Sequence, residues 1–472
     1  VTVVPESALA LAASIRAGRV SVLDTLHEHL DRARRTGLNA VVTLDPGAER
    51  AARLADRAVS AGEQLGPLHG VPFTVKDTID VADLRATAGS KTLADRVASR
   101  TAPAVDRLRA AGAIVLGKTN CSEFAVDIHT ANPLFGATLN PVDRSRTPGG
   151  SSGGDAAAVA AGLAPFGLGT DFGGSLRWPA HCTGVCTVRP TPGLVPGAGV
   201  LPHTGWPPNP ALMLHRLMTV GPLARTVADL VALLRVLAGP DPADPLTEAV
   251  PFGDPAGVDP ARLRVAWCDG EGSVPVAAEV VDAVRAAAEA LRPHVGDVEQ
   301  ARPPDLAECA DLFVALRDSE GLPEVSELVA GRAGLLGADL ARYLAAGPTG
   351  HRGDTPRIAS RRDAIRGEVL GFLAERPVLL LPVASVPAPP PGPEAVVDGR
   401  RVPFGRLGSS CRAISVLGLP AAVVPVGRSA EGLPIGVQVV GRPFHDHEVL
   451  AVAALLEQLS PVDSVAWAAR DR

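Results

Sequence analysis

The stretch Thr147-Pro148-Gly149-Gly150-Ser151-Ser152-Gly153-Gly154-Asp155 decides how this chain is read. Its glycines lack side chains, so backbone can approach whatever lies above the loop. The loop runs straight into residues 156–161, an alanine-rich segment that reads as a helix. Upstream, Gly70-Val71-Pro72-Phe73-Thr74-Val75-Lys76-Asp77 holds a buried strand over 71–75 with a lysine at its end. Residues 104–111 read as a helix opened by Pro103. Ala113-Ile114-Val115-Leu116 follows as a short strand that stops at Gly117. Strand, loop and helix in alternation predict an α/β sheet with helices on its faces.

A second glycine run carries the chemistry: Gly169-Thr170-Asp171-Phe172-Gly173-Gly174-Ser175-Leu176-Arg177. Serine is a poor nucleophile until a base takes its proton. Lys76 and a second serine form a candidate relay, and glycine-rich backbone supplies N–H donors for a developing oxyanion. The pattern points to hydrolysis or transfer of an acyl group. Ser175, behind two glycines, is the candidate nucleophile. The N–H groups of Phe172, Gly173, Gly174 and Ser175 are the candidate oxyanion donors, each typically worth about 3–4 kcal/mol at a transition state. Lys76 is the candidate base and must be neutral to act, which burial favours.

These runs resemble the amidase signature family. The likeness continues through Gly66-Pro67-Leu68-His69-Gly70, Thr87-Ala88-Gly89-Ser90, Gly117-Lys118-Thr119-Asn120 and Asn140-Pro141. It resumes at Arg189-Pro190-Thr191, Val220-Gly221-Pro222-Leu223-Ala224-Arg225-Thr226, Gly418-Leu419-Pro420-Ala421 and Gly432-Leu433-Pro434-Ile435-Gly436-Val437-Gln438. Roughly residues 60–235 and 375–460 match, and an ordered set of this kind is far more specific than one motif. The resemblance implies a single αβα-sandwich domain with a mixed, mainly parallel central sheet. It implies a Ser-Ser-Lys triad in which Ser151 bridges Lys76 and Ser175 and follows a cis peptide bond, with Ser152 as the alternative bridge. Asp171 and Arg177 are expected to fix loops through hydrogen bonds; the rival reading has Arg177 recognise a substrate carboxylate. Asn120, Thr170 and His69 read as structural, or as supporting the site from behind. Asp83, Cys121 and Thr187-Val188-Arg189-Pro190-Thr191 depart from the usual pattern outside the triad. Trp178 and His203-Thr204-Gly205-Trp206-Pro207-Pro208 add bulk near the site and suggest an apolar or aromatic acyl group.

Along the chain, residues 1–60 read as N-terminal helices packed on the core, with Ser21 capping one and Asp24 three residues on. Residues 61–238 carry the triad. Residues 239–375 read as a variable, mostly helical region shaping the substrate pocket, with helices over 277–291 and 363–373 and one strand over 263–267. Residues 376–472 return to the core, with strands over 421–426 and 435–440 and a closing helix over 448–459.

The 472 residues are 46% hydrophobic, ample for a large core. Net charge is −6 and aromatics are 3%, so neither a basic patch nor base stacking argues for nucleic acid. Six cysteines are irregularly spaced; Cys182 and Cys186 read as small residues packed in a wall, and neither they nor the histidines make a metal set. No metal or organic cofactor is expected. Val1 to Glu6 lacks the features of a signal peptide and no apolar run is long enough to span a bilayer, so the expectation is a soluble, cytoplasmic protein, monomer or homodimer, acting on a small-molecule amide. The leading function is amide hydrolysis to the acid and ammonia or amine through an acyl-enzyme. The alternatives are an A-type subunit of a glutamyl-tRNA amidotransferase and a non-catalytic binding protein on the same fold. Pro192-Gly193-Leu194 stands where the amidotransferase pattern has Tyr-Gly, which weighs against the former.

Overall fold

A computed structural model describes residues 7–202, 208, 212–347 and 352–460. Eleven strands among the described residues join in one sheet. In chain order these are β1 (Val41–Leu44), β2 (Pro72–Lys76), β3 (Ile114–Thr119), β4 (Phe166–Asp171), β5 (Cys186–Arg189), β6 (Thr219–Ala224), β7 (Arg264–Trp267), β8 (Asp297–Gln300), β9 (Val378–Pro382), β10 (Ala421–Arg428) and β11 (Pro434–Gly441). Their order across the sheet is β1-β3-β2-β4-β6-β5-β10-β11-β9-β7-β8.

The expected α/β class holds, and the sheet is mixed. "Mainly parallel" needs correction in its detail. The parallel pairs are β2–β3, β2–β4, β7–β9 and β7–β8, while the other six neighbouring pairs run antiparallel. The reason is connection length. Parallel neighbours need a crossover, as the helix Pro103–Ala110 supplies between β2 and β3. β10 and β11 are joined by a short turn through Gly432, which only an antiparallel hairpin can use.

β2 and β4 are buried along their whole length; the sequence discloses only the first as a buried strand. Phe73 and Phe166 stack between them with ring centroids 5.0 Å apart. The helix Gly153–Ala160 begins behind the first glycine loop and is buried on all sides. Ser21 caps the helix Val22–Arg35 by accepting from the Asp24 N–H. Over residues 7–60 the helices Ala8–Arg16, Val22–Arg35 and Ala48–Ser60 are accompanied by β1, which pairs antiparallel with β3 at the sheet edge. Two expected strands in the C-terminal part, β10 and β11, rejoin the sheet beside β5 and β9.

Candidate active site

Lys76 closes β2 and Asp171 closes β4, its parallel neighbour, so both lie at the carboxyl ends of adjacent strands. Open α/β sheets place their sites at such ends. The Lys76 side chain is wholly buried. Its Nζ stands 2.6 Å from Ser151 Oγ and 2.8 Å from Thr170 Oγ1. Burial pushes its pKa down, to about 8, while the carboxylates of Asp155 and Asp171 pull the other way. Asp155 sits on the same side of β2, where its Oδ1 accepts from Thr74 Oγ1 at 3.1 Å. Burial pushes the Asp155 carboxyl up.

The two serines of the first loop divide the work. Ser151 faces Lys76, and the Gly150–Ser151 peptide bond is cis. Gly150 is required there: a Cβ would come 2.7 Å from the carbonyl carbon of Ile128. Ser152 turns away to the backbone. Its Oγ donates to Thr170 O at 3.2 Å and accepts from the Thr170 N–H, and its own N–H donates to Ser175 O. Ser152 thus ties the two glycine loops together, and Ser151 is the serine placed on the lysine.

Ser175 is half-buried and lines a cavity of about 110 Å³ together with Ser151, Thr170, Phe172 and Gly173. The loop that presents it is held from behind by Asp171. This carboxylate accepts from the N–H groups of Gly174 and Leu176, at 2.9 and 3.1 Å. Arg177 reaches the same carboxylate with Nε and Nη2, each at 3.0 Å, and donates also to Gln438 and Ser415. Arg189 adds a second guanidinium, 3.4 Å from Asp171. Burial alone would raise the Asp171 carboxyl, but Arg177 and then Arg189 hold it well below the usual carboxylate range.

Three expectations change on this geometry. The Gly174 N–H is committed to Asp171 Oδ1, so it is not an oxyanion donor; Phe172, Gly173 and Ser175 remain on the cavity side. Gly174 also has φ +115°, and a Cβ there would meet Cys411 at 2.6 Å. Arg177 has no exposed surface and each of its three guanidinium nitrogens hydrogen-bonds protein, so it does not recognise a substrate carboxylate. Trp178 is buried away from the cavity, its indole N–H donating to Ile128 O. Residues 203–207 lie outside the described residues.

Thr170 does more than its sequence context suggests. It contacts Lys76 directly, and the register that sets Val75 opposite Leu168 is what brings it there. Only knowledge of strand pairing finds this. His69 and Asn120 are structural: the imidazole meets Ala55 O at 3.1 Å, and the amide bonds Gly136 O and Thr138 Oγ1. Cys182 and Cys186 are buried and unbridged. The wall above the serines is largely apolar, with Phe124, Ile128, Met218, Phe313, Leu322 and Val325 facing the space. No helix among the described residues is long and apolar enough to cross a membrane.

Comparison with known proteins identifies the family. The family model described as Amidase matches residues 24–450. The chain is 37% identical to an indoleacetamide hydrolase of Bradyrhizobium diazoefficiens, over 97% of this chain and 87% of the relative. It is 33% identical to the A-type subunit of the glutamyl-tRNA(Gln) amidotransferase of Deinococcus radiodurans, over 97% of this chain and 98% of the relative. Among solved structures, a bacterial aryl acylamidase of the amidase signature enzymes superposes with a TM-score of 0.87 at 25% identity, covering 98% of each chain.

Proposed function

The chain belongs to the amidase family of amide hydrolases, and from that premise we propose a Ser-Ser-Lys mechanism acting on a small amide with an apolar or aromatic body. One observation carries the reading. A buried lysine amine lies 2.6 Å from the hydroxyl of Ser151, and Ser151 and Ser175 line one cavity. Ser175 Oγ attacks the amide carbonyl. Its proton passes to Ser151 as the Ser151 proton passes to Lys76 Nζ. The oxyanion is met by backbone N–H groups of Phe172, Gly173 and Ser175. The proton on Lys76 returns through Ser151 to the leaving nitrogen, and the C–N bond breaks to give an acyl-Ser175 ester and ammonia or amine. Water then attacks the ester by the same route, releasing the acid and restoring Ser175.

The apolar wall and the similarity to an indoleacetamide hydrolase support an aromatic or arylalkyl acyl group. Ser175→Ala is expected to lower kcat on the order of 10⁶-fold with the fold retained. Turnover of phenylacetamide and indole-3-acetamide, with circular dichroism as the control for folding, checks this; full activity in the variant overturns the scheme.

The similarity to one component of an amidotransferase supports a second reading, in which this chain works within a larger assembly. Co-purification with partner chains from the source cell, or turnover seen only when tRNA is added, would favour it. Turnover of simple amides by the isolated chain favours the first.

A further inference from the structure

Most cations around the cavity have a carboxylate of their own. Arg177 and Arg189 share Asp171. Arg317 pairs with Asp318 at 2.9 Å, and Arg406 with Asp311. Arg412 differs. It lies on the helix Ser409–Val416 and lines the same cavity as Ser175. Among the described residues its guanidinium makes neither an ion pair nor a hydrogen bond; its one described contact is with the Phe313 ring, 6.0 Å from Cζ to centroid.

The position is a built one. Phe313 packs on Phe172 with ring centroids 4.6 Å apart, and a Cβ on Gly173 would come 2.7 Å from it. Cys411, the neighbour of Arg412, presses on Gly174. The guanidinium is therefore one aromatic ring away from the loop that carries Ser175. It is half-buried, and burial, with Arg317 and Arg406 close by, pulls its pKa down to about 10. Asp127 also faces the cavity, but it makes no ion pair with Arg412 and its Oδ1 accepts from the Ile128 N–H at 2.6 Å. Asp127 favours the charge on Arg412 without pairing with it, and a half-buried guanidinium with no directly bonded anion keeps its planar fork free for a carboxylate on two atoms.

We propose that Arg412 is a specificity residue that binds a carboxylate carried by the substrate, distinct from the scissile amide. The preferred substrates are then amides with an apolar body and an acidic group at the far end. The inference rests on the amide-hydrolase reading for its substrate class, but the geometry of Arg412 does not.

Two matched pairs test it: 4-carboxyphenylacetamide against its neutral isostere 4-nitrophenylacetamide, and adipamate against hexanamide. Binding is measured by calorimetry on Ser175→Ala protein, with and without Arg412→Met, and turnover on the protein with Ser175 intact. Arg412→Lys and circular dichroism guard against misfolding. In at least one pair the acidic amide is expected to bind and react better, and Arg412→Met to weaken that amide about 10- to 100-fold while changing the neutral one less than about threefold. Arg412→Lys should keep part of the preference. Equal affinity for acidic and neutral members, no binding of either acidic amide, or equal weakening of both members by Arg412→Met overturns the proposal; the last outcome marks a stacking role for aromatic groups. Arg412-dependent binding of an acidic amide without turnover of any amide upholds Arg412 and sinks the hydrolase reading. Turnover of the neutral amides with no effect of Arg412 does the reverse.

Discussion

The polar end of the cavity and its apolar wall are assembled differently. Lys76, Ser151, Thr170 and Ser175 come from two adjacent parallel strands and the loops around them. Each is tied to its neighbours by short hydrogen bonds or by backbone that admits only glycine. The wall is gathered from distant places: residues 124–128, 200–202, then Leu212, His215 and Met218, residues 313–325, and Arg412. Its side chains are held by apolar packing, with a few charges that mostly neutralise one another. The difference separates two tasks. A proton relay tolerates little displacement, because transfer needs hydrogen-bond distances. A pocket for the rest of a substrate can be rebuilt by exchanging side chains of similar volume.

Removing the base is the strongest way to test that division. Lys76→Ala is expected to lower kcat on the order of 10⁴-fold or more, with KM for phenylacetamide little changed. The same lysine sets the pH profile. It acts only when neutral, and burial holds its pKa down to about 8. kcat/KM of the unaltered protein should therefore rise as pH increases through about 8 and level off above, where an ordinary lysine would put the limb near 10.4. A profile flat from pH 6 to 10, or a Lys76→Ala protein with near-normal kcat, breaks the assignment of the chemistry to the polar end.

Asp171 tests whether that end owes its precision to support from behind. Asp171→Asn keeps the shape but leaves Arg177 and Arg189 buried beside a neutral amide. Breaking a buried pair in this way costs about 3–5 kcal/mol. Urea unfolding reads the loss, and turnover should fall with it because the Gly174 and Leu176 N–H groups lose their anchor. The carboxyl of Asp171 is depressed in the folded state, so its contribution is present above the ordinary carboxylate range and disappears as pH falls through the depressed value. A change under about 1 kcal/mol would show the clamp to be dispensable.

The same two regions differ in how far the sequence discloses them. The strand before Lys76, the helix after Gly154 and both serine loops are legible because their constraints are local: burial, glycine and the helix start lie within a few residues. β1 is not legible because Val41-Val42-Thr43-Leu44 is short, half-buried and set among helices, and its place comes from pairing with distant Gly117. There a Cβ on Gly117 would come 2.3 Å from Thr43 O, a demand invisible from either segment alone. The Gly174 N–H reads as available in the sequence because its capture by Asp171 depends on how the loop folds back. The arginines show the limit most clearly. Arg177 stands out in the motif yet is spent on structure, while Arg412 sits in an unremarked helix and faces the cavity. What distinguishes them is the supply of partners, which is a property of the packed molecule.

Phe313 offers the gentlest probe, on the wall side of the division. Its ring touches Phe172 and Arg412 and covers Gly173, so it borders the reacting loop without joining the hydrogen-bonded set. Phe313→Leu keeps most of the apolar volume and should cost stability under about 1.5 kcal/mol. An aromatic contact is worth about 0.5–1.5 kcal/mol beyond area, so KM for arylacetamides should rise roughly two- to tenfold while kcat holds. Aliphatic amides of similar size should show a smaller rise, since they lose no ring contact. If instead kcat falls a hundredfold with KM unchanged, the ring is holding the Phe172–Gly173 backbone in place for the transition state. The wall would then share in the chemistry, because displacement of an oxyanion donor is felt in kcat and not in ground-state binding.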